Sequence, residues 1–170
     1  MEKISGVVAI VGENVSATSI LSPEYYGESA EAIDPSVVLA TASEIDLSEN
    51  KEIILIVGQN FGYGSVNESV LVALQKAGVQ AIIGTDIPHY VYRNGLNLGL
   101  PVFVSDAAAD NCSDGETVSI DMESGVITNE STGREFPSEA RLDFIKRLMA
   151  MGGVTSFIQT LREQETEGNV

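Results

Sequence analysis

The stretch Glu52-Ile53-Ile54-Leu55-Ile56-Val57-Gly58 constrains this chain more than any other. Its five consecutive apolar residues are closed off by a charge on one side and a glycine on the other. A run that short and that uniformly apolar has no polar face to turn to water. It therefore specifies a strand buried on both sides, as in an α/β domain. The next residues, Gln59-Asn60-Phe61-Gly62-Tyr63-Gly64-Ser65, form a glycine-rich loop. The spacing then predicts a helix over 66–77, with Val66, Val70, Ala73, Leu74 and Ala77 on one face and Gly78 as its stop. A second buried strand is expected over 79–84, a helix over 90–98 ending near Gly99, and a third strand over 101–104. Strand–helix–strand–helix–strand is the signature of a parallel βαβ unit.

Ahead of this unit, Ile4–Val11 is β-branched and reads as a further strand, running into the turn Gly12-Glu13-Asn14. Ser16 to Asn50 is acidic and broken by Pro23 and Pro35, which predicts a loop with short helices near 29–33 and 40–45. Behind the unit, 107–114 is expected as loop, with strands over 117–121 and 126–128 joined through Glu123-Ser124-Gly125 as a hairpin, and a turn at Thr132-Gly133. Two helices are expected to close the chain. The first covers 138–151 with Ala140, Phe144, Ile145, Leu148 and Met151 inward, and the second covers 154–162. With no internal repeat and no long linker, residues 1–162 are expected to form one domain and 163–170 a polar, frayed tail.

Charge and cysteine content exclude several functions. The chain has 170 residues and a formal net charge of −16, and no Lys or Arg lies between Lys3 and Lys51 or between Arg93 and Arg134. A surface that tracks phosphates needs clustered bases, so nucleic acid is excluded, and adhesion to anionic membrane fails for the same reason. No apolar run approaches the ~20 residues of a membrane span. The N-terminus shows no signal-peptide pattern, so the expected compartment is the cytoplasm. The acidity would also suit a high-salt cytoplasm. The single cysteine, Cys112, cannot form an intramolecular disulfide or a thiolate cage; it reads as a buried or half-buried thiol.

The richest place for chemistry is the loop running into the helix at Ser65. Glycines let a backbone turn sharply and expose its amides. The unpaired N–H groups of a helix start, with the positive end of its dipole, favour an anion. Ser65 stands at that junction as an acid/base or nucleophile candidate. Ser65-Val66-Asn67-Glu68 also reads as a capping box, in which the serine serves the helix alone. Spacing leaves both readings open. The loop is neither a P-loop nor a Rossmann fingerprint. His89, the only histidine, is expected in a loop with a surface or interface role, and Arg93 either as an isolated anion ligand or as an exposed arginine. Tyr25 and Tyr26 are expected to anchor the acidic loop or to form a lid or interface patch.

Longer matches bring a family into view. Val57 to Ser65 resembles the Gly-x-Asn-Phe-Gly-x-Gly-Ser-Ser-Arg-Glu motif of the swivel domain of the aconitase superfamily, in the form found in small subunits of 3-isopropylmalate dehydratase and homoaconitase. Tyr92-Arg93-Asn94-Gly95-Leu96-Asn97-Leu98-Gly99-Leu100 is similar to that family's Tyr-Arg-Asn-x-x-Asn-x-Gly-Leu segment, and Gly12-Glu13-Asn14-Val15 to its Gly-Asp-Asn-Val-Asp-Thr-Asp. Gly125-Val126 to Thr132-Gly133 and Phe144 to Gly152-Gly153 resemble its C-terminal region.

The resemblance implies a single swivelling β/β/α domain of the aconitase C-terminal type. It implies the small subunit of a heteromeric hydro-lyase, cytoplasmic and of the leucine-biosynthesis type, acting on a small hydroxy-dicarboxylate. A large aconitase-like subunit would carry a [4Fe–4S] cluster as Lewis acid, with none bound here. Ser65 matches the serine that removes the proton as an alkoxide. Gly64, Val66 and Asn67, with Arg93, are the positions it implies for substrate binding.

The departures are specific. Val66 stands for the family's second serine, Asn67 for its substrate-binding arginine, Ser69 for a histidine, and Ser16-Ala17-Thr18 for Asp-Thr-Asp. Losing a guanidinium removes a bidentate carboxylate anchor, commonly worth about 2–3 kcal/mol. Two readings follow. In one, the hydro-lyase takes an altered substrate, with charge supplied by Arg93 or by arginines of the partner. In the other, a divergent, non-catalytic swivel domain acts as a binding or regulatory subunit.

Overall fold

The computed structural model describes residues 3–40, 52–64, 68–138 and 143–167. Ser65, Val66 and Asn67, and the helix expected over 40–45 apart from Ala40, lie outside the described residues.

The apolar run forms β2 (Ile53–Val57), and all five of its residues are buried. It can be apolar throughout because it has a parallel strand on each side: β1 (Lys3–Val11), and β3 (Val79–Gly84). β4 (Val102–Val104) extends the parallel part, and β5 (Thr117–Asp121), β6 (Ile127–Asn129) and β7 (Arg134–Phe136) continue the sheet from β1 as antiparallel strands. The order is β4-β3-β2-β1-β5-β6-β7.

The two faces of β2 feed two cores. Ile53, Leu55 and Val57 join the larger one, beneath α1 (Ala17–Ile20), α2 (Glu68–Lys76) and α3 (His89–Leu98). Ile54 and Ile56 join the other, with α4 (Asp106–Asn111) and the inward residues of β5, β6 and β7. In β3 the alternation slips: Val79 and Ile82, three apart, both face the larger core. Val79 pairs with Ile53 and Ala81 with Ile54, so the exposed Gln80 is an extra residue. This bulge restores the register. The acidic segment after α1 crosses the larger core as three 3-10 turns, Pro23–Tyr25, Ala30–Ala32 and Pro35–Val37, with Ile33, Val38 and Leu39 buried under it.

The expected βαβ unit and C-terminal hairpin are present, and the architecture is α/β. Four local readings differ. Residues 107–114, expected as loop, contain most of α4. Its N-cap Ser105 accepts a hydrogen bond from the Ala108 N–H at 3.3 Å and donates one to the Pro137 carbonyl at 2.7 Å. β7 went unread because Arg134-Glu135-Phe136 is too short for a pattern; it exists by pairing with β6. Met151, expected inward, is 40% exposed, and Met149 is buried in its place. The helix α5 (Asp143–Ala150) stops one residue before Met151, so the periodicity no longer applies there. Ala140 and the side chain of Phe144 lie outside the described residues. The last helix, α6 (Gly153–Glu167), runs five residues past the expected end at Arg162. No helix among the described residues is long and apolar enough to cross a membrane.

Candidate functional site

The site lies at the carboxyl ends of β1 and β2, where two loops are stitched together by main-chain bonds. The Gly58 N–H donates to the Val11 carbonyl at 3.0 Å, and the Asn14 N–H to that of Gln59 at 2.8 Å. The Gly62 N–H donates to the Val15 carbonyl at 2.6 Å, and the Ala17 N–H to that of Tyr63 at 2.8 Å. One side-chain bond joins the same loops: Asn60 Nδ2 donates to Asn14 Oδ1 at 2.8 Å. Both asparagines hold left-handed backbone, at φ 57° and 56°. Asparagine tolerates that region better than other side-chain-bearing residues.

This pair has a measurable weight. Asn60→Ala is expected to cost roughly 1–2 kcal/mol, from the lost hydrogen bond and the left-handed backbone. Asn60→Gly should recover more than half of that, because glycine removes only the bond. Urea denaturation midpoints of the two variants check this; equal losses would show that the backbone conformation is not the cause.

Phe61 is fully buried in the larger core and anchors the loop from below. Past it the chain surfaces: Tyr63 is 49% exposed, and Gly64 lies exposed at φ +102°. A Cβ on Gly64 would meet nothing within 4 Å, so the loop opens outward at the residue before Ser65. The orientation of its amide follows from peptide geometry. The Tyr63 carbonyl is held inward by Ala17 and no peptide bond among the described residues is cis, so the Gly64 N–H points the other way.

Two further elements wall the site. Ser69, in the first turn of α2, accepts the Gly27 N–H at 3.1 Å and so ties the tyrosine turn to that helix. Tyr25 and Tyr26 both pack on the larger core, which makes them anchors of this loop. On the other side, α3 meets the loop across a narrow apolar crevice lined by Ala17, Ile20, Phe61, Gly62, Tyr90 and Asn94.

Among the residues singled out from sequence, Gly64 sits at the opening. Arg93 is exposed on α3, one residue before the crevice-lining Asn94, and is not itself in the crevice. His89 is exposed too, as the first residue of α3 rather than in a loop. Cys112 lies in the other core, beneath Asn129, whose Nδ2 is 3.6 Å from its sulfur; burial pushes its thiol pKa up. Among the described residues no three His, Cys, Asp or Glu gather as a metal ion requires. Sequence reading missed Tyr90 and the Asn14–Asn60 pair. Asn60 stood inside the quoted motif, but nothing in a linear sequence shows its partner 46 residues away.

Comparison with known proteins agrees with this architecture. No family model matches the chain. Over 165 residues it is 30% identical to the 3-isopropylmalate dehydratase small subunit of Nautilia profundicola, covering 96% of this chain and 99% of that one. Over 160 residues it is 35% identical to the methanogen homoaconitase small subunit of Methanothermobacter thermautotrophicus, covering 93% and 92%. The crystal structure of 3-isopropylmalate dehydratase from Methanocaldococcus jannaschii superposes with a TM-score of 0.82 at 23% identity, over 99% of this chain and all of the other, and shows the same fold. On identities of 30% and 35% over more than nine-tenths of each chain, the chain belongs to the family of hydro-lyase small subunits that includes those of 3-isopropylmalate dehydratase and homoaconitase.

Proposed function

We propose that this chain works with a large subunit to interconvert a hydroxy-dicarboxylate and its dehydrated counterpart, with Ser65 as the proton-abstracting base. The observation that carries the reading is the loop Gly58–Gly64, pinned on its inner side at four backbone positions and opening outward directly before Ser65. The small-subunit names of its relatives support the two-chain arrangement. A [4Fe–4S] cluster, if bound, is assigned to the large subunit, and a cytoplasmic location goes with this reading.

In such a reaction a base takes a proton from the carbon next to a carboxylate, while hydroxide leaves the neighbouring carbon. Negative charge builds on the carboxylate oxygens during the step. Amides aimed at those oxygens stabilise that charge without reorganising. In our reading the main-chain N–H groups of Gly64 and Val66 do this, and the start of α2 favours an alkoxide on Ser65. Asn67 hydrogen-bonds a carboxylate or hydroxyl as a neutral group. Arg93, or arginines of the large subunit, supply positive charge.

The test is anaerobic co-purification with a candidate large subunit from the same source, followed by absorbance assays with unsaturated di- and tricarboxylates. Turnover of one of them supports the reading; a well-formed complex without turnover on any leaves the non-catalytic alternative standing. Asn67→Arg is expected to raise kcat/KM for 3-isopropylmalate at least tenfold, which a bidentate carboxylate contact would supply. No gain would show that the substrate's charge is met elsewhere.

A further inference from the structure

Among the described residues, Tyr90 is the one side chain of α3 that bonds the backbone of the loop leading to Ser65: its phenolic O–H donates to the Gly62 carbonyl. The ring packs partly buried against the larger core. Burial pushes the phenol pKa up, which keeps the group a donor across the working pH range. With its N–H on Val15, Gly62 is thus held at both of its polar groups, by elements on opposite sides of the loop. This matters because the segment is free to choose other conformations. Asn60, Gly62 and Gly64 all have positive φ, at 57°, 76° and 102°, and glycine crosses between backbone regions with little penalty. A rotation of the Gly62–Tyr63 peptide would carry along the next peptide, whose N–H belongs to Gly64.

We infer that Tyr90 is a positioning residue of this site, which clamps the Gly62 carbonyl and so, together with the Ala17 bond to the Tyr63 carbonyl, fixes the direction of the Gly64 amide. The inference rests on the proposed role of Ser65 for its catalytic consequence only. The clamp itself is a property of this chain.

The experiment compares Tyr90→Phe with the unaltered chain, each assembled with the large subunit. Phenylalanine keeps the ring and its packing, so the variant folds and only the hydrogen bond is lost. Hydrogen exchange at the hydrogen-bonded amides of Gly62 and Tyr63 is expected to quicken about tenfold, with exchange in β2 and β3 unchanged. In an active complex kcat is expected to fall about tenfold while KM changes less than twofold, because the disturbed groups act on the transition state. A ring that served packing alone would leave exchange at Gly62 and Tyr63 unaltered, and that result overturns the inference. So does quickened exchange with unaltered kcat. If the unaltered complex turns over none of the acids, the reading of Ser65 fails, and exchange alone decides the clamp.

Discussion

Ser65→Ala in the assembled two-subunit enzyme is expected to lower kcat by on the order of 10²–10⁴-fold, the range a positioned base contributes. KM should change little, because alanine leaves the backbone amides around it in place. Thermal stability should fall by no more than about 1 kcal/mol, the usual cost of removing a helix cap. These two readouts separate the alternatives that spacing left open. A serine that only caps α2 would show the stability loss with turnover intact. A serine that is the base shows collapse of turnover on a folded, assembled complex. Steady-state kinetics with thermal unfolding of the same preparation decides it, and intact turnover would refute the assignment.

Gly153→Ala is expected to be the most damaging single methyl group in the fold. Gly153 has φ +90°, and a Cβ there would lie 2.4 Å from the Gly99 nitrogen, 2.6 Å from the Asn97 carbonyl oxygen and 2.7 Å from that of Leu96. These are backbone atoms, which cannot rotate aside as a flexible side chain could. The end of α3 and the start of α6 touch here without intervening side chains. Left-handed backbone costs about 1–2 kcal/mol for a residue with a Cβ, and forced overpacking typically about 1–3 kcal/mol more. The sum, about 4 kcal/mol, is a large part of the roughly 5–15 kcal/mol that holds a domain together. At about 3 °C per kcal/mol for this size, the melting midpoint should fall about 12 °C. Gly115→Ala is the control: its φ is +80°, but a Cβ would meet nothing within 4 Å. It should lose only the conformational part, about 1–2 kcal/mol. Equal losses at the two positions would mean that α3 and α6 separate freely, against the close approach described above.

The elements legible in the sequence share one property: the signal lies within the element itself. β1, β2 and β3 were readable because their own residues are apolar or β-branched. α3 was readable because Gly99 marks its end, and there its φ is +73°. The elements that went unread draw their reason from elsewhere. Asp106-Ala107-Ala108-Ala109-Asp110-Asn111 offers only small apolar residues, so no helical face shows in sequence; Ala108 packs into the core and Ser105 holds the first turn. Phe136 alone gives no strand period, and the pairing of Ile127 with Phe136 makes it one.

The site divides the same way. By itself, the sequence determined that a glycine-rich loop leaves a doubly buried strand and runs on to a serine that precedes a helix in the chain. Local chemistry carries that much, since glycine permits the turn and the apolar run leaves its strand no other place than the interior. It also supplied the family's motif, with Val66 and Asn67 as its departures. Only the tertiary structure decided what holds the loop. Asn14, Val15, Ala17 and Tyr90 come from two segments distant in sequence, and they bond a backbone whose glycines would otherwise choose among several conformations. The reason is that a sequence states which φ values a residue can reach. Which one it keeps is set by the partners that accept and donate to its peptide groups, and folding alone brings those partners within reach.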